Sequence, residues 1–183
     1  MDCDMDEFWV FGYGSLMWNP GFPYEERATA RVVGYRRSLC VRSYVHRGTE
    51  ERPGLVLGLD RGGSCKGVAF RVALSDRAHT IDYLRERELV TSVYLERTVP
   101  ARLADGRHVS ALTYVIDRAH RQYAGSVSIE EAASVVRDAV GRSGPNPVYV
   151  ANTLSHLREL GIRDHWLESV AAAMSSEPAS DNK

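Results

Sequence analysis

The segment that follows the first buried strand has the residue types of a backbone binding loop. An aromatic-rich strand beginning at Trp9 runs into the sequence Phe11-Gly12-Tyr13-Gly14-Ser15-Leu16. Glycine permits backbone conformations that other residues resist, and it lets a ligand approach the main chain closely. Consecutive N–H groups in such a turn form a concavity for an anion or for developing negative charge. The alternative is an ordinary turn that ends a core strand, which is what most isolated Gly-x-Gly sequences are.

Two glutamates in a predicted helix over residues 75–90 differ in the side on which they lie. Three apolar residues recur there at helical spacing and define one face: Ala78, Ile81 and Leu84. At about 100° per residue, Glu88 projects onto that face and Glu86 onto the opposite one. Burial and the negative end of the helix dipole both raise the pKa of an inward Glu88 toward the range of a general base. Pairing with Arg85 or another arginine explains the same placement equally well.

For each of the other polar candidates, a structural role is at least as good an explanation as a role in catalysis or binding. Ser15 follows a glycine but lacks the G-x-S-x-G sequence and an evident base, so a serine nucleophile is not indicated. The histidines show no H-x-x-x-H or H-x-H pairing, which favours ordinary polar roles over metal ligation. Arg42, like the pair His46-Arg47, either neutralises a substrate carboxylate or carries surface charge. Three tyrosines either line a pocket or fill the core: Tyr94, Tyr114 and Tyr149.

Five segments, in order along the chain, resemble the ChaC family, the glutathione-specific γ-glutamylcyclotransferases. They are Phe11–Pro20, His46–Gly54, Gly67–Phe70, Arg87–Tyr94 and Asn146–Tyr149. These segments are similar, in turn, to the family's glycine loop, its HRGT…PG segment, its GVAY-like strand, its RE…Y segment and its asparagine-and-tyrosine helix start. The resemblance extends from Phe8 to Trp166. One departure is Ser92-Val93, because the family usually has glycine before the tyrosine at position 94.

The resemblance implies an α+β fold, a γ-glutamylcyclotransferase-like mixed β-barrel with flanking helices. It implies cleavage of glutathione to 5-oxoproline and cysteinylglycine with Glu88 as general acid/base, which resolves the choice at Glu88 in favour of chemistry. Its implied substrate-binding residues are Phe11, Gly12, Tyr13, Gly14, Ser15, Leu16, Arg42, Tyr94 and Tyr149. Because the ring closes within one substrate molecule, no metal or cofactor is required. The alternatives are a cyclotransferase for other γ-glutamyl amino acids or amines, or a non-catalytic binding or regulatory protein of the same fold.

Length, charge and cysteine usage indicate one domain that acts on a small molecule. The 183-residue chain predicts a single domain over residues 1–174, and the polar residues 175–183 predict a disordered tail. A net charge of −1 with mixed signs argues against nucleic acid or a membrane as partner, and the pair Arg36-Arg37 is expected at a solvated strand edge. No apolar run approaches the ~20 residues of a membrane span, and the acidic N-terminus does not resemble a secretory signal. Three scattered cysteines favour a cytoplasmic setting, whereas the oligomeric state is not indicated.

The predicted elements follow an α+β order: strands, one inserted helix, two more strands and then closing helices. The strands are predicted at Phe8–Gly12, Thr29–Val41, Leu55–Asp60, Cys65–Val72, Val93–Leu103 and His108–Ile116. Residues 61–64 are expected to form a hairpin turn. A capping box at Ser128 begins the first closing helix. A later helix spans Asn146–Leu160, and Gly161 stands where the end of a helix favours glycine.

Overall fold

The computed structural model describes residues 6–176, which divide into two compact units. The first unit contains residues 6–37 and 58–121, and the second contains residues 38–57 and 122–176. The interpretation of residues 1–174 as one domain stays a prediction. Of the predicted tail, Ser175 is the last residue of a helix, and residues 177–183 lie outside the described part of the chain.

Five strands form a closed barrel: β1 (Phe8–Gly12), β2 (Glu26–Ser43), β3 (Gly54–Val72), β4 (Tyr94–Leu103) and β5 (His108–Ile116). Their order around the barrel is β1-β3-β2-β4-β5. The β1–β5 pair is parallel, whereas the pairs β1–β3, β2–β4 and β4–β5 are antiparallel. Every residue of β1 is buried, which suits its continuous apolar sequence. The predicted α+β class, a mixed β-barrel with helices, is confirmed, and β1 and β5 have the predicted bounds.

β3 is one continuous strand, so the predicted hairpin turn at residues 61–64 is wrong. Gly62 and Gly63 have positive φ values of 100° and 68°, which explains the turn-like sequence. The segment nevertheless remains in the barrel beside β2, where the Arg36 guanidinium donates to the Arg61 carbonyl. The two glycines therefore form an irregularity within a long strand instead of reversing the chain.

Helix α1 spans Arg77–Glu88 and is shorter at both ends than predicted. Its buried residues are Thr80 and Leu84, whereas Ala78 is exposed, so the prediction that Ala78 belongs to the inward face is wrong. Thr80, Leu84 and Glu88 follow one another at steps of four, which places them along one side of the helix. The corrected phase therefore still turns Glu88 inward, although a threonine rather than an alanine begins the stripe.

The second unit contains the closing helices and a short strand pair: α2 (Ile129–Asp138), β6 (Val140–Gly141), β7 (Gly144–Pro145), α3 (Asn146–Glu159) and α4 (His165–Ser175). The capping box is confirmed, since the hydroxyl of Ser128 accepts from the Glu131 N–H and the Glu131 carboxylate accepts from the Ser128 N–H. Gly161 ends α3 with φ of 69°, as its position predicts. The Ile162 N–H then donates to the Leu157 carbonyl, which completes a Schellman motif.

Residues 6–176 contain two of the three cysteines. Cys40 and Cys65 are buried and are not joined to each other in a disulfide, and Cys3 lies outside this range. In the described residues, no group of three or more His, Cys, Asp or Glu side chains is arranged to hold a metal ion. None of the described helices combines the length and the apolar character that crossing a membrane requires.

Candidate active site

The glycine loop begins where β1 ends and turns directly into a short 3-10 helix. Gly12 is the last residue of β1, and Ser15–Met17 form the 3-10 turn. A Cβ atom on Gly12 would lie 2.9 Å from the Cβ atom of Leu16, so a larger residue would displace the turn. Over the described range 6–176, the backbone N–H groups of Gly14, Ser15 and Leu16 have no acceptor. These three donors can therefore bind a substrate oxygen.

Two buried side chains hold the carbonyl groups of this segment in place. Thr113 of β5 donates from Oγ1 to the Phe11 carbonyl at 3.0 Å. Arg37 of β2 is only 8% exposed and donates from Nε to the Tyr13 carbonyl at 2.6 Å. Its Nη2 donates to the Lys66 carbonyl at 2.7 Å, which ties the loop to β3. Arg37 thus fixes the backbone immediately before the free N–H groups.

This placement of Arg37 corrects the prediction that Arg36 and Arg37 share a solvated strand edge. Arg36 is partly exposed and pairs with the buried Asp60, with 3.3 Å between Nη2 and Oδ2. Arg37 is buried because neighbouring side chains of a strand point to opposite faces. Every second residue of β2 from 37 to 43 is buried, so strand alternation was the signal that sequence analysis missed.

Glu88 is the last residue of α1, and its side chain is 18% exposed. Glu86 is exposed, so the two glutamates differ as the helix phase predicts. Burial raises the pKa of Glu88, and the Arg87 guanidinium, with Nε 3.5 Å from Oε1, partly opposes that rise. A carboxylate in such a setting binds a proton nearer to neutral pH than an exposed one, which suits a general base.

A second carboxylate, Glu96 of β4, has the opposite pKa shift. Arg85 donates to it from Nε at 3.1 Å and from Nη2 at 2.9 Å, and these bonds are the main reason that the pKa of Glu96 is lowered. The Tyr114 hydroxyl also donates to Glu96, at 2.9 Å. Burial, this hydrogen bond and the charges of Glu96 and Glu88 raise the pKa of the Tyr114 phenol. Glu96 has no sequence signal of its own, because its hydrogen bond with Tyr114 depends on the strand register that pairs the two residues.

The first unit contains most of the predicted site residues. The loop Phe11–Leu16, Glu88 and Tyr94 all belong to it. Tyr94 is the first residue of β4, is partly buried and pairs with Ile116 of β5. Arg87 contacts both the glycine loop and Glu88. Its guanidinium donates to the Ser15 hydroxyl and lies beside the carboxylate of Glu88.

Two predicted substrate-binding residues, Arg42 and Tyr149, belong to the second unit. Arg42 is exposed near the end of β2. Tyr149 lies in the first turn of α3, where its hydroxyl accepts from the Leu57 N–H at 3.0 Å. The Arg47 guanidinium stands 5.5 Å from the centre of the Tyr149 ring. Tyr149 therefore has a structural role within its own unit, and substrate binding by it stays a prediction.

A family model of ChaC-like proteins matches residues 8–177. The chain belongs to the ChaC-like family. An Escherichia coli (strain K12) relative named glutathione-specific gamma-glutamylcyclotransferase is 34% identical over 174 residues, covering 94% of this chain and 75% of the relative. A Danio rerio relative named glutathione-specific gamma-glutamylcyclotransferase 1 is 36% identical over 172 residues, covering 91% and 88%. A crystal structure of a glutathione-specific γ-glutamyl cyclotransferase from yeast shares the fold, with a TM-score of 0.80 at 22% identity over 92% of this chain and 96% of that one.

Two of the segments that resemble the ChaC family have structural roles in the second unit. A Cβ atom on Gly48 would lie 2.1 Å from the backbone nitrogen of Gly54. The two ends of the segment His46–Gly54 therefore come into backbone contact at these glycines. Asn146 is fully buried, and its side-chain amide exchanges hydrogen bonds of 2.8 and 2.9 Å with the backbone of Leu55. These residues fix the start of β3 and the start of α3.

Ser92-Val93, the departure from the ChaC-like pattern, falls in the turn between α1 and β4. Ser92 has φ of 58°, a left-handed conformation that glycine adopts without steric cost. Val93 is buried, and its carbonyl accepts from the Asp117 N–H at 2.8 Å. The turn therefore keeps a backbone conformation typical of glycine although a serine occupies it.

Proposed function

We propose that this protein is a γ-glutamylcyclotransferase that cleaves glutathione to 5-oxoproline and cysteinylglycine. Its membership of the ChaC-like family and the names of its relatives support this reaction and substrate. The observation that carries the proposal is Glu88, an inward carboxylate whose pKa is raised by burial. Its neighbour Arg87 also contacts the glycine loop, and this contact supports a single site that contains the proposed base and the proposed oxyanion donors.

The reaction begins at the α-ammonium group of the γ-glutamyl unit. An ammonium nitrogen has no lone pair, so it cannot attack until it loses a proton. Glu88, as the carboxylate, accepts that proton. The freed amine attacks its own γ-carbonyl carbon, which forms the C–N bond of the 5-oxoproline ring and moves the carbonyl electron pair onto oxygen.

The backbone N–H groups of Gly14, Ser15 and Leu16 stabilise the oxyanion that this attack creates. Each donor of an oxyanion hole contributes about 3–4 kcal/mol to the barrier reduction. Protonated Glu88 then donates to the leaving nitrogen, the bond to cysteinylglycine breaks and the ring carbonyl re-forms. The ring nitrogen still carries one proton more than a neutral lactam. Glu88, again a carboxylate, removes that proton and passes it to the amine of cysteinylglycine, so Glu88 ends the cycle as a carboxylate. Because both reacting groups belong to one molecule, holding the glutamyl chain folded supplies much of the rate.

Glu96 is not the proposed base. It accepts a hydrogen bond from Tyr114, the tyrosine whose pKa the charge of Glu88 also raises. Its oxygens accept hydrogen bonds from Arg85 and Tyr114, and its pKa is lowered. A carboxylate held in this way is a weak base. Active sites that use carboxylates for different tasks commonly separate their pKa values by their surroundings, which supports Glu88 as the group that carries protons.

The remaining assignments rest on the family resemblance and on composition. Arg42, Tyr94 and Tyr149 are the proposed substrate-binding side chains. We also propose that residues 1–174 act as a single domain. We further propose that the protein works in the cytoplasm, where scattered cysteines such as Cys40 and Cys65 stay reduced.

Direct measurement of 5-oxoproline tests the proposal. Purified protein is incubated separately with glutathione, γ-glutamylalanine and a γ-glutamylamine. The proposal predicts product from glutathione, with a larger kcat/KM than for either of the other compounds. Product from γ-glutamylalanine or the amine but not from glutathione would place the protein among cyclotransferases of another specificity. No product from any of the three would favour a non-catalytic role.

A further inference from the structure

Arg87 connects the end of α1 with the glycine loop through one guanidinium group. Nη2 donates to the Ser15 hydroxyl at 2.9 Å. Nη1 donates to the carbonyls of Asn19 at 2.7 Å and Pro20 at 3.2 Å. On the other edge of the same group, Nε lies 3.5 Å from Oε1 of Glu88. Arg87, the neighbour of the proposed base Glu88, therefore contacts both ends of the segment 15–20.

Tyr83 strengthens the same connection one helical turn earlier. Its hydroxyl accepts from Nη1 of Arg87 at 3.1 Å. It also packs against Gly21, where φ is 74° and a Cβ atom would lie 2.0 Å from the tyrosine oxygen. The Arg87 side chain is only 19% exposed, so solvent competes weakly for its contacts. A planar guanidinium can make several such contacts in fixed directions at once, whereas a lysine ammonium cannot.

We infer that Arg87 is a positioning residue that holds the glycine loop and the carboxylate of Glu88 in one fixed arrangement. The inference rests on the proposed function, because it assigns a task within that same site. The base must reach the α-amine while the N–H donors reach the γ-carbonyl oxygen of the same small substrate. An error of about 1 Å in such an arrangement can cost about 10²-fold in rate.

The charge of Arg87 has a second effect, on the ionisation of Glu88. Burial raises the pKa of Glu88, and Arg87 is the cation that opposes this rise. The group that faces Glu88 from β5 is the Tyr114 phenol, which is hydrogen-bonded to Glu96, itself bonded to Arg85. Loss of the Arg87 charge therefore raises the pKa of Glu88 further. The acidic limb of kcat/KM reports the base of the free enzyme, so that limb should move to higher pH.

Three variants separate the geometric effect of Arg87 from the effect of its charge: Arg87→Gln, Arg87→Lys and Arg77→Gln. Arg77 is the matched control, since it lies at the opposite end of α1 with its guanidinium 5.4 Å from the Phe8 ring centre. One readout is the pH profile of 5-oxoproline formation from glutathione. The other is amide hydrogen exchange over residues 13–20, which requires no turnover.

Arg87→Gln is expected to lower kcat by about 10- to 100-fold, to move the acidic limb of kcat/KM to higher pH and to speed exchange over residues 13–20. Arg87→Lys should lower kcat and speed exchange as well, because a lysine cannot make the same set of contacts. It should leave the acidic limb near its wild-type position, because it keeps the charge. Arg77→Gln should leave kcat, the limb and the exchange unchanged.

The inference would be overturned if wild type is active and Arg87→Gln has the same kcat, the same acidic limb of kcat/KM and the same exchange over residues 13–20. The proposed function would then still stand. Equal effects of Arg77→Gln would also overturn it, because they would show a general response to charge loss on α1. If Arg87→Gln does not fold, Arg87→Lys decides: wild-type kcat and exchange in that variant reject a positioning role. A wild-type protein that releases no 5-oxoproline from glutathione would overturn the proposed function and, with it, this role, whatever the exchange shows.

Discussion

At the scale of single residues, the site gives two carboxylates different surroundings. Glu96 accepts hydrogen bonds from Arg85 and Tyr114, which favour its charged form. Glu88 is buried beside one guanidinium at 3.5 Å, and burial dominates, so its pKa is raised. The proposed mechanism needs a charged Glu88 for its first proton transfer, but the carboxylate is held where charge is costly. Such a site favours reactivity over stability.

Glu88→Gln is therefore expected to stabilise the fold near neutral pH. The folded-state pKa of Glu88 is raised above its ordinary value of 4.5, so the unfolded chain loses this proton at lower pH than the folded one. The contribution of Glu88 to wild-type stability consequently falls as pH rises from 4.5 through the folded-state pKa, and levels off above it. The glutamine variant lacks this ionisation, so its Tm advantage over wild type should grow across that interval.

Thermal unfolding of both proteins across the acidic to neutral range measures this difference. Glu86→Gln is the matched control for the loss of one glutamate from the exposed side of α1. A Tm difference between Glu88→Gln and wild type that stays constant with pH, or that shrinks as pH rises, would contradict a raised pKa at Glu88.

At the scale of elements, local signals predicted helix ends well and long strands less well. The capping box at Ser128 and the glycine at position 161 depend on a few adjacent residues, and both predictions are confirmed. The turn predicted at 61–64 depends on whether β2 continues beside those residues, which local sequence does not reveal. The exposure of Ala78 has a similar cause, because neighbouring elements decide which side of α1 is covered.

Ser92→Gly is expected to stabilise the turn between α1 and β4. Ser92 has φ of 58°, and a left-handed conformation costs an L-residue roughly 1–2 kcal/mol that glycine avoids. Greater freedom of glycine in the unfolded chain offsets part of this gain, which leaves a net stabilisation of about 0.5–1 kcal/mol. Chemical denaturation measures the free energy of unfolding. Ser92→Ala keeps a Cβ atom and should show no such gain, so equal stabilisation by both variants would refute the backbone explanation.

At the scale of the whole molecule, the sequence predicted the fold and the family more completely than it predicted the site. The glycine loop and Glu88 follow from short sequence patterns, and the chain shares its fold with the yeast protein at a TM-score of 0.80. The position of Glu96 depends on how β4 and β5 pair, so only the three-dimensional register reveals it. The burial of Arg37 follows the alternation along β2, which the sequence does carry. Arg42 and Tyr149 belong to the second unit, and their contact with substrate stays a prediction.

The proposed reaction takes place within one substrate molecule and uses a carboxylate base, so we expect it to need no divalent cation. The formation of 5-oxoproline from glutathione should be unchanged after the protein is dialysed against a strong chelator and assayed in chelator. The same protein assayed with added Mg²⁺ or Zn²⁺ is the control. Loss of turnover that a divalent ion restores would contradict a mechanism in which Glu88 alone moves the protons.

The most direct test of the account compares glutathione turnover by wild type, Glu88→Gln and Glu86→Gln. Glutamine keeps the shape of the side chain but cannot accept the ammonium proton. We expect Glu88→Gln to fold and still bind glutathione, yet to lose at least about 10²-fold in kcat. Glu86→Gln, on the exposed side of the same helix, should match wild type. Formation of 5-oxoproline by folded Glu88→Gln at more than about a hundredth of the wild-type kcat would contradict Glu88 as the general base.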